Sequence, residues 1–223
     1  MGGALLRLAG PGVGVVVVAA VARRQPAGVD ASLWVPVDEL AQAAAFDVAL
    51  DFSQPSAVNS LAAFCVAREA ALVSGTTGID DNQRAVLAQA AKRIPVLWAA
   101  NFSLGVAVLS ELSRRAAEAL PGWDCDIIEA HHARKLDAPS GTALQLGAAV
   151  QAGRGQAPHY ASIRAGDIVG EHTVMLTSAG ERVELTHRAS NRDVFAAGAM
   201  ESARRIAGRS AGTYTLADLL FAP

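Results

Sequence analysis

The chain has 223 residues, a length that allows one large domain or two small ones and a substantial hydrophobic core. Hydrophobic residues make up 52% of it and charged residues 18%, a composition that excludes intrinsic disorder and is typical of a buried α/β core. With 19 basic and 21 acidic residues the net charge is −2, so no concentrated basic surface indicates a nucleic acid or an anionic membrane as partner. Small molecules are therefore the expected ligands.

Cysteine and histidine spacing gives no sign of a disulfide framework or a metal centre. The two cysteines, Cys65 and Cys125, lie far apart, without a CxxC pair and without histidines at the spacing that zinc sites require. Disulfides persist in oxidising compartments, so we expect a protein of the reducing cytoplasm that holds no metal.

The apolar N-terminal segment is not expected to be a targeting or membrane segment. Residues 4–22 are apolar apart from Arg7, but Pro11-Gly12 divides the run into two pieces that are too short to span a bilayer. A secretory signal carries its positive charge before the apolar run, whereas Arg23 and Arg24 follow it. We therefore expect neither a signal peptide nor a membrane partner.

Short apolar strands alternate with helices in the first half of the chain. The valine-rich run 15–21 predicts a strand that is covered on both faces, as in parallel sheets. The other predicted strands are 47–52, 71–74 and 95–99, and the predicted helices are 37–44, 56–70, 80–92 and 104–120. Strands separated by helices of about 10 to 15 residues indicate right-handed βαβ units, so we expect an α/β fold with a Rossmann-like parallel sheet.

The second half follows a different pattern. Strands are predicted at 126–130, 161–164, 172–177 and 182–187, with helices at 140–151 and 194–207. Turns that contain glycine link several of these strands, which predicts an α+β unit with a mixed or antiparallel sheet. We therefore expect two domains, residues 1–102 with 195–223 and residues 103–194.

Three segments of the first half are expected where open parallel sheets bind ligands, beyond the carboxyl ends of the strands. They are residues 52–55, 75–78 and 99–102, and each follows a predicted strand. Gly75 and Gly78 would let the backbone approach a flat or phosphorylated ligand, and Thr76 and Thr77 would add hydroxyl donors. Ordinary turn chemistry between strands and helices is the alternative for any one of these loops.

The densest group of chemically active side chains lies in residues 129–143. His131 and His132 follow a buried strand, and an imidazole exchanges a proton near neutral pH, which suits general acid catalysis. Lys135 offers a positive charge, and Ser140-Gly141-Thr142 opens a helix whose N–H groups can bind a carboxylate. Together they predict a dicarboxylate site with a proton donor. The alternative is a surface imidazole pair or an adventitious metal site, although adjacent histidines on a strand point to opposite faces.

Residues 129–143, EAHHARKLDAPSGTA, match the pattern E-x-H-H-x-x-K-x-D-x-P-S-G-T-A at every fixed position. This segment resembles the signature of the dihydrodipicolinate reductase family. Further blocks occur in the family's order, so that the resemblance covers nearly the whole chain; they are residues 46–53, 75–78, 99–103, 164–172 and 186–189.

The resemblance implies a reaction and a role for each site residue. It implies hydride transfer from NAD(P)H to 4-hydroxy-tetrahydrodipicolinate, a cyclic imine dicarboxylate, with loss of water to give tetrahydrodipicolinate in lysine and diaminopimelate biosynthesis. His131 would be the general acid and Lys135 the second catalytic residue. Residues implied to bind substrate are His132, Ser140, Gly141 and Thr142, and those implied to line the cofactor are Gly75, Thr76, Thr77, Ala99, Ala100, Asn101 and Phe102. The resemblance also implies a homotetramer assembled through the sheet of the substrate domain.

One departure from the family pattern concerns the N-terminus. The family begins with a strand and a turn of the form G-x-x-G-x-M-G, whereas Met1-Gly2 would be the last two residues of that turn. We hypothesise that Met1 is an internal methionine and that the functional protein is longer by roughly ten residues, enough for one strand and the rest of its turn. The alternative is a truncated, cofactor-deficient homologue that binds a dicarboxylate without turnover.

A second feature bears on the choice of cofactor. The predicted strand that corresponds to the family's second strand ends at Ala22-Arg23-Arg24. The family often has an acidic residue here, which would accept the ribose hydroxyl of NADH and repel a 2′-phosphate. Ala22 does neither, and Arg23 can pair with a phosphate, so we expect a preference for NADPH over NADH. Otherwise Arg23 and Arg24 are ordinary surface charges. Schiff-base lyase chemistry on Lys135 is a weaker alternative, because its neighbours are not apolar enough to lower the pKa of the amine.

Overall fold

The computed structural model describes residues 1–221, which fold into two compact units. One unit contains residues 1–102 and the segment that begins at Phe195, and the other contains residues 103–194. The strands are β1 (Ala20–Ala22), β2 (Trp34–Pro36), β3 (Val48–Asp51), β4 (Ala71–Ser74), β5 (Pro95–Trp98), β6 (Asp124–His131), β7 (His159–Arg164), β8 (Glu171–Thr177), β9 (Arg182–Arg188) and β10 (Gly212–Tyr214). The α-helices are α1 (Gly2–Leu8), α2 (Val58–Ala67), α3 (Asp81–Ala90), α4 (Leu104–Ala119), α5 (Gly141–Arg154), α6 (Asp193–Ile206) and α7 (Leu216–Phe221).

The first unit is built on a parallel sheet, as the sequence pattern predicts. Strands β10, β5, β4 and β3 are neighbours in that order, and all of their pairings are parallel. Asp51, Ser74 and Trp98, the last residues of three strands, are register partners across the sheet. The loops that follow them therefore start at one edge. Apolar side chains of α2, α3 and the strands form the core; they include Val58, Cys65, Leu72, Leu87, Ile94 and Val96.

The predicted strand 15–21 is wrong over most of its length. Only Ala20–Ala22 forms a ladder, and this strand pairs with β2 in a separate two-stranded parallel sheet. Val16 is 72% exposed, and Val15 makes an isolated bridge with Gly10. Valine favours a strand chiefly where neighbours cover it, so a valine run without such cover need not be extended in a sheet.

The second unit has the mixed sheet that the sequence predicts. Its strand order is β7-β6-β8-β9, in which β6 pairs with β7 in parallel and the other pairs are antiparallel. Burial alternates along β6, so that one face of the sheet packs against α4 and α5. The core of this unit includes Leu109, Ala117, Ile127, Leu146, Val150, Val174 and Leu176.

The remaining predicted elements agree with the structure to within a few residues at their ends. The helix predicted at 37–44 is a 3₁₀ helix, Val37–Gln42, and none of its residues is buried. The strand β2 is not predicted by the sequence pattern. Within residues 1–221, no helix combines the length and the apolarity that crossing a bilayer requires.

Candidate active site

The inward face of β6 carries two polar side chains in an apolar row. Cys125, Ile127, Glu129 and His131 alternate with more exposed residues and are all buried, because successive side chains of a strand point to opposite faces. Nδ1 of His131 lies 2.5 Å from Oε2 of Glu129. The imidazole thus meets a carboxylate two residues away on its own strand.

Glu129 is completely buried and is bonded on both oxygens. Arg164, at the end of β7, donates from Nη1 to Oε2 at 2.9 Å and from Nη2 to Oε1 at 2.7 Å, while the backbone N–H of Ser140 donates to Oε1 at 3.2 Å. Burial would raise the pKa of Glu129, but hydrogen bonds from Arg164, Ser162 and His131 lower it to about 2. The carboxylate is therefore ionised and can only accept hydrogen bonds.

Ser140 is the N-cap residue directly before α5 and joins the helix to the sheet. Its Oγ accepts a hydrogen bond from the backbone N–H of Ala143 at 3.2 Å, which satisfies one of the free N–H groups of the first turn. The same Oγ lies 3.2 Å from Nε2 of His172 on β8, and the ring of His172 packs edge-on against that of His131 at 5.2 Å. Burial, together with the charge of His131, lowers the pKa of His172 to about 4.

The segment between β6 and α5 is held by two further contacts. Nζ of Lys135 lies 2.8 Å from Oδ1 of Asp137, and this hydrogen bond lowers the pKa of Asp137. Arg164 also donates from Nη2 to the carbonyl oxygen of Asp137 at 2.5 Å. His132 is partly buried, and burial, assisted by the charges of Arg134 and other cations, lowers its pKa. Lys135 is therefore an ion-pair partner of Asp137, and not an unpaired amine.

Within the second unit, the structure connects His131 to the start of α5. Glu129 bonds both His131 and Ser140, so the predicted proton donor and the predicted anion site share one carboxylate. Gly141 is exposed and Thr142 is partly buried in the first turn of α5. Within residues 1–221, no three His, Cys, Asp or Glu side chains are placed to hold a metal ion.

The predicted cofactor loops lie in the first unit, and some of their hydroxyl groups donate hydrogen bonds to a buried carboxylate of the same unit. Asp51, at the end of β3, accepts hydrogen bonds from Ser53 Oγ at 2.5 Å, Ser74 Oγ at 2.8 Å and Thr76 Oγ1 at 2.8 Å. Thr76 is 2% exposed, whereas Thr77 is exposed. The hydroxyl of Thr76 is thus engaged with Asp51, whereas Thr77 is an exposed residue.

Aromatic packing accounts for the glycine that follows β4. A Cβ atom on Gly75 would lie 2.1 Å from a ring carbon of Phe52, so only glycine leaves room for that ring. Phe52 in turn packs edge-on against Phe102 at 5.3 Å, and Phe102 is 2% exposed. Of the remaining predicted cofactor residues, Ala99 and Asn101 are partly buried and Ala100 and Arg23 are exposed.

Family models match both parts of the chain. The model described as dihydrodipicolinate reductase, N-terminus, matches residues 1–102, and the one described as dihydrodipicolinate reductase, C-terminus, matches residues 105–220. The chain belongs to the dihydrodipicolinate reductase family.

Curated relatives of this reductase family are similar over nearly the whole chain. A 4-hydroxy-tetrahydrodipicolinate reductase of Stenotrophomonas maltophilia (strain R551-3) is 60% identical over 223 residues, which cover 99% of this chain and 93% of the relative. One of Xylella fastidiosa (strain M23) is 54% identical, with 99% and 94% covered. These matches favour the reductase interpretation over that of a homologue without turnover.

Solved structures support the fold of the reductase family. The dipicolinate-bound dihydrodipicolinate reductase from Paenisporosarcina sp. TG-14 superposes with a TM-score of 0.68 and 24% identity, covering 78% of this chain and 74% of that one. An engineered D-amino acid dehydrogenase has a TM-score of 0.61 and 15% identity, covering 99% and 90%. At these identities the likeness concerns the fold alone.

Sequence reasoning missed three residues of this reductase site. Glu129 is bonded to His131, His172 to Ser140, and Arg164 to Glu129, but none of the three received a role from the sequence. One signal was available, since Glu129 stands at an inward position of a strand and a buried carboxylate needs a partner. The partner itself, Arg164, lies 35 residues away and no local spacing indicates it.

Proposed function

We propose that this chain catalyses the NAD(P)H-dependent reduction of 4-hydroxy-tetrahydrodipicolinate to tetrahydrodipicolinate. Membership of the reductase family and the names of its relatives support the reaction. The observation that carries the assignment of roles is the shared carboxylate of Glu129, which bonds both His131 and the first residue before α5, Ser140. Glu129 thereby connects the proposed proton donor, His131, to the helix N-terminus that is proposed to bind an anion.

The first unit offers a chemically suitable place for the cofactor. Small and exposed residues, among them Thr77, Gly78 and Ala100, follow the carboxyl ends of parallel strands, where open α/β sheets bind dinucleotides. Gly78 has φ +76°, a backbone conformation that residues with side chains rarely adopt, and a Cβ atom added there would meet only Pro55 Cγ within 4 Å, at 3.9 Å. These features fit a flat nucleotide, which supplies the hydride when bound.

The chain's own residues have the tasks of binding the substrate and supplying a proton. His131 protonates the developing product or the departing hydroxyl, which leaves as water. Backbone N–H groups at the start of α5 and the hydroxyl of Thr142 bind a substrate carboxylate, aided by the helix dipole. Lys135 binds the second carboxylate by exchanging its ion pair with Asp137 for the ligand.

Three finer assignments belong to the same proposal. Arg23 is exposed directly after β1 and supports a preference for NADPH over NADH. The open face of the mixed sheet, with Ile163 49% exposed, supports a homotetramer assembled through that sheet. The free, buried thiols of Cys65 and Cys125 support a cytoplasmic setting.

The reaction is tested with the purified chain by following oxidation of NADPH with substrate generated in situ. His131→Gln is expected to lower kcat at least about a hundredfold with little change in KM, because proton donation acts in the transition state. A matched control is His159→Gln, whose ring is 92% exposed at the start of β7 and is expected to leave kcat unchanged. Absence of turnover in the wild-type chain, or a kcat of His131→Gln within threefold of wild type, would contradict the proposal.

A further inference from the structure

The buried carboxylate of Glu129 decides which nitrogen of His131 carries a proton. Both oxygens of Glu129 are hydrogen-bond acceptors: Oε1 accepts from Arg164 Nη2 and Ser140 N, and Oε2 accepts from Arg164 Nη1. Because an ionised carboxylate has no proton to give, the contact of Oε2 with Nδ1 of His131 at 2.5 Å requires that Nδ1 donates. The neutral ring is then the Nδ1–H tautomer.

This tautomer leaves a single nitrogen for proton transfer. When the ring is protonated, the proton on Nδ1 stays bonded to Glu129, and only the proton on Nε2 can be released. Nε2 lies on the side of Gly170, where a Cβ atom would be 3.1 Å away, and no side chain of that residue covers it. The carboxylate therefore places the acidic N–H on the nitrogen that lies next to Gly170.

Arg164 keeps this carboxylate charged and in place. It forms two parallel hydrogen bonds with Glu129, the geometry in which a guanidinium binds a carboxylate most firmly, and its own side chain is 18% exposed. The ring of His172 on β8 packs edge-on against that of His131, and the charge of His131 acts on both His132 and His172. The group at hydrogen-bond distance from Nδ1 is Glu129.

We propose that Glu129 is a positioning residue that fixes the Nδ1–H tautomer of His131 and so makes Nε2 the nitrogen that delivers the proton. The proposal deepens the reductase function and rests on it for its kinetic consequence. The tautomer itself, however, is a property of the folded chain that is measured without turnover.

The first experiment is nitrogen-15 NMR of the imidazole rings in the wild-type chain, with the His131 signals assigned from their loss in His131→Gln. In the neutral ring, Nδ1 of His131 is expected to carry the proton and Nε2 the lone pair. A proton on Nε2 in the neutral ring would overturn the proposal whether or not the chain reduces the substrate.

The second experiment uses Glu129→Gln, which keeps the shape and removes the charge. The amide oxygen is expected to occupy the Oε1 position, where Arg164 Nη2 and the N–H of Ser140 both donate. The amide NH₂ then takes the Oε2 position, where it loses the hydrogen bond that Arg164 Nη1 donates in the wild type and faces Nδ1 of His131. Nδ1 must accept, so the neutral ring changes to the Nε2–H tautomer. Protonation of Nδ1 would set its N–H against the amide NH₂ and is disfavoured, so kcat is expected to fall at least about a hundredfold while KM changes little.

The control is Glu118→Gln on α4, a side chain that is 63% exposed and pairs with Arg114 at 3.0 Å. It is expected to leave both kcat and the imidazole spectrum unchanged. An unchanged tautomer or a kcat within threefold of wild type in Glu129→Gln would contradict the proposal, and if this variant does not fold, the wild-type spectrum decides. Failure of the wild-type chain to turn over would contradict the reductase function and leave the tautomer result standing.

Discussion

Gly170 lies directly against Nε2 of His131. A Cβ atom at position 170 would be 3.1 Å from Nε2 of His131 and 3.7 Å from Cε1 of His172. The first distance is shorter than ordinary van der Waals contact between a carbon and a nitrogen, so a side chain here would press on the imidazole. Glycine at this position keeps Nε2 accessible without a positive φ being required.

Gly170→Ala is therefore expected to lower kcat by between about tenfold and about a hundredfold, because a small displacement of a catalytic group has effects of this size. Steady-state kinetics with saturating NADPH measure it. Gly180→Ala, in a turn where an added Cβ would meet nothing within 4 Å, is the control and is expected to be indistinguishable from wild type. If Gly170→Ala keeps full kcat, Nε2 is not the nitrogen that faces the substrate.

The buried His172 is expected to make the second unit sensitive to acid. Burial, with the charge of His131, lowers its pKa from 6.5 to about 4. Above pH 6.5 the ring is neutral in both the folded and the unfolded chain, so it has no effect there. Below pH 6.5 the unfolded chain binds a proton that the folded chain does not bind until about pH 4, so the free energy of unfolding falls across this interval. At pH 5 the loss amounts to about 2 kcal/mol.

Urea unfolding at pH 7 and pH 5 measures this loss, and His172→Gln isolates it. The variant has no titratable group at this position, so its free energy of unfolding is expected to fall by about 2 kcal/mol less than that of wild type between the two pH values. His132 and His187 also have pKa values lowered by burial and contribute equally to both proteins. An identical pH dependence in the two proteins would show that His172 is not buried as a neutral ring.

The two threonines of the loop after β4 are expected to differ in their effect on stability. Thr76→Val removes a hydroxyl that donates to the buried carboxylate of Asp51, so the free energy of unfolding is expected to drop by about 1 to 3 kcal/mol. Thr77→Val changes an exposed side chain and is expected to stay within about 0.5 kcal/mol of wild type. Equal stabilities of the two variants in urea unfolding would contradict the role given to Asp51.

The sequence predicted those features that depend on local pattern. The strand at 126–130 and the helix that starts at Ser140 depend on residues that are close in the chain, and both were predicted. The fully buried position of Glu129 was not, because it depends on Arg164, which is brought to it by the parallel pairing of β6 and β7. The strand prediction for the valine run 15–21 is wrong for the opposite reason. The local propensity of valine favours a strand, but Val16 is 72% exposed and is not covered by neighbouring elements.

Arg23 is expected to set the preference between the two nicotinamide cofactors. If its guanidinium pairs with the 2′-phosphate, Arg23→Ala loses a charge-assisted hydrogen bond that NADH never makes. The ratio of kcat/KM for NADPH to that for NADH is then expected to fall at least about tenfold, with the value for NADH nearly unchanged. Arg93→Ala, which removes another exposed arginine of the same unit, is expected to leave the ratio as it is. An equal loss of kcat/KM with NADPH and with NADH would show that Arg23 does not bind the 2′-phosphate.

The open face of the mixed sheet is expected to be the assembly surface. The strand register aligns one row of residues across the four strands, which consists of Ile163, Ala130, Glu171 and Arg188. In this row Ile163 is 49% exposed. Apolar side chains in an exposed sheet face favour association with a second copy of the chain.

Ile163→Arg would place up to four new charges in a homotetramer interface. The variant is therefore expected to have a smaller molar mass than the wild type in light scattering at micromolar concentration. Its thermal unfolding, if still cooperative, would exclude misfolding as the cause. A wild-type chain that is already monomeric under these conditions would contradict the tetramer, and a variant that remains tetrameric would place the interface elsewhere.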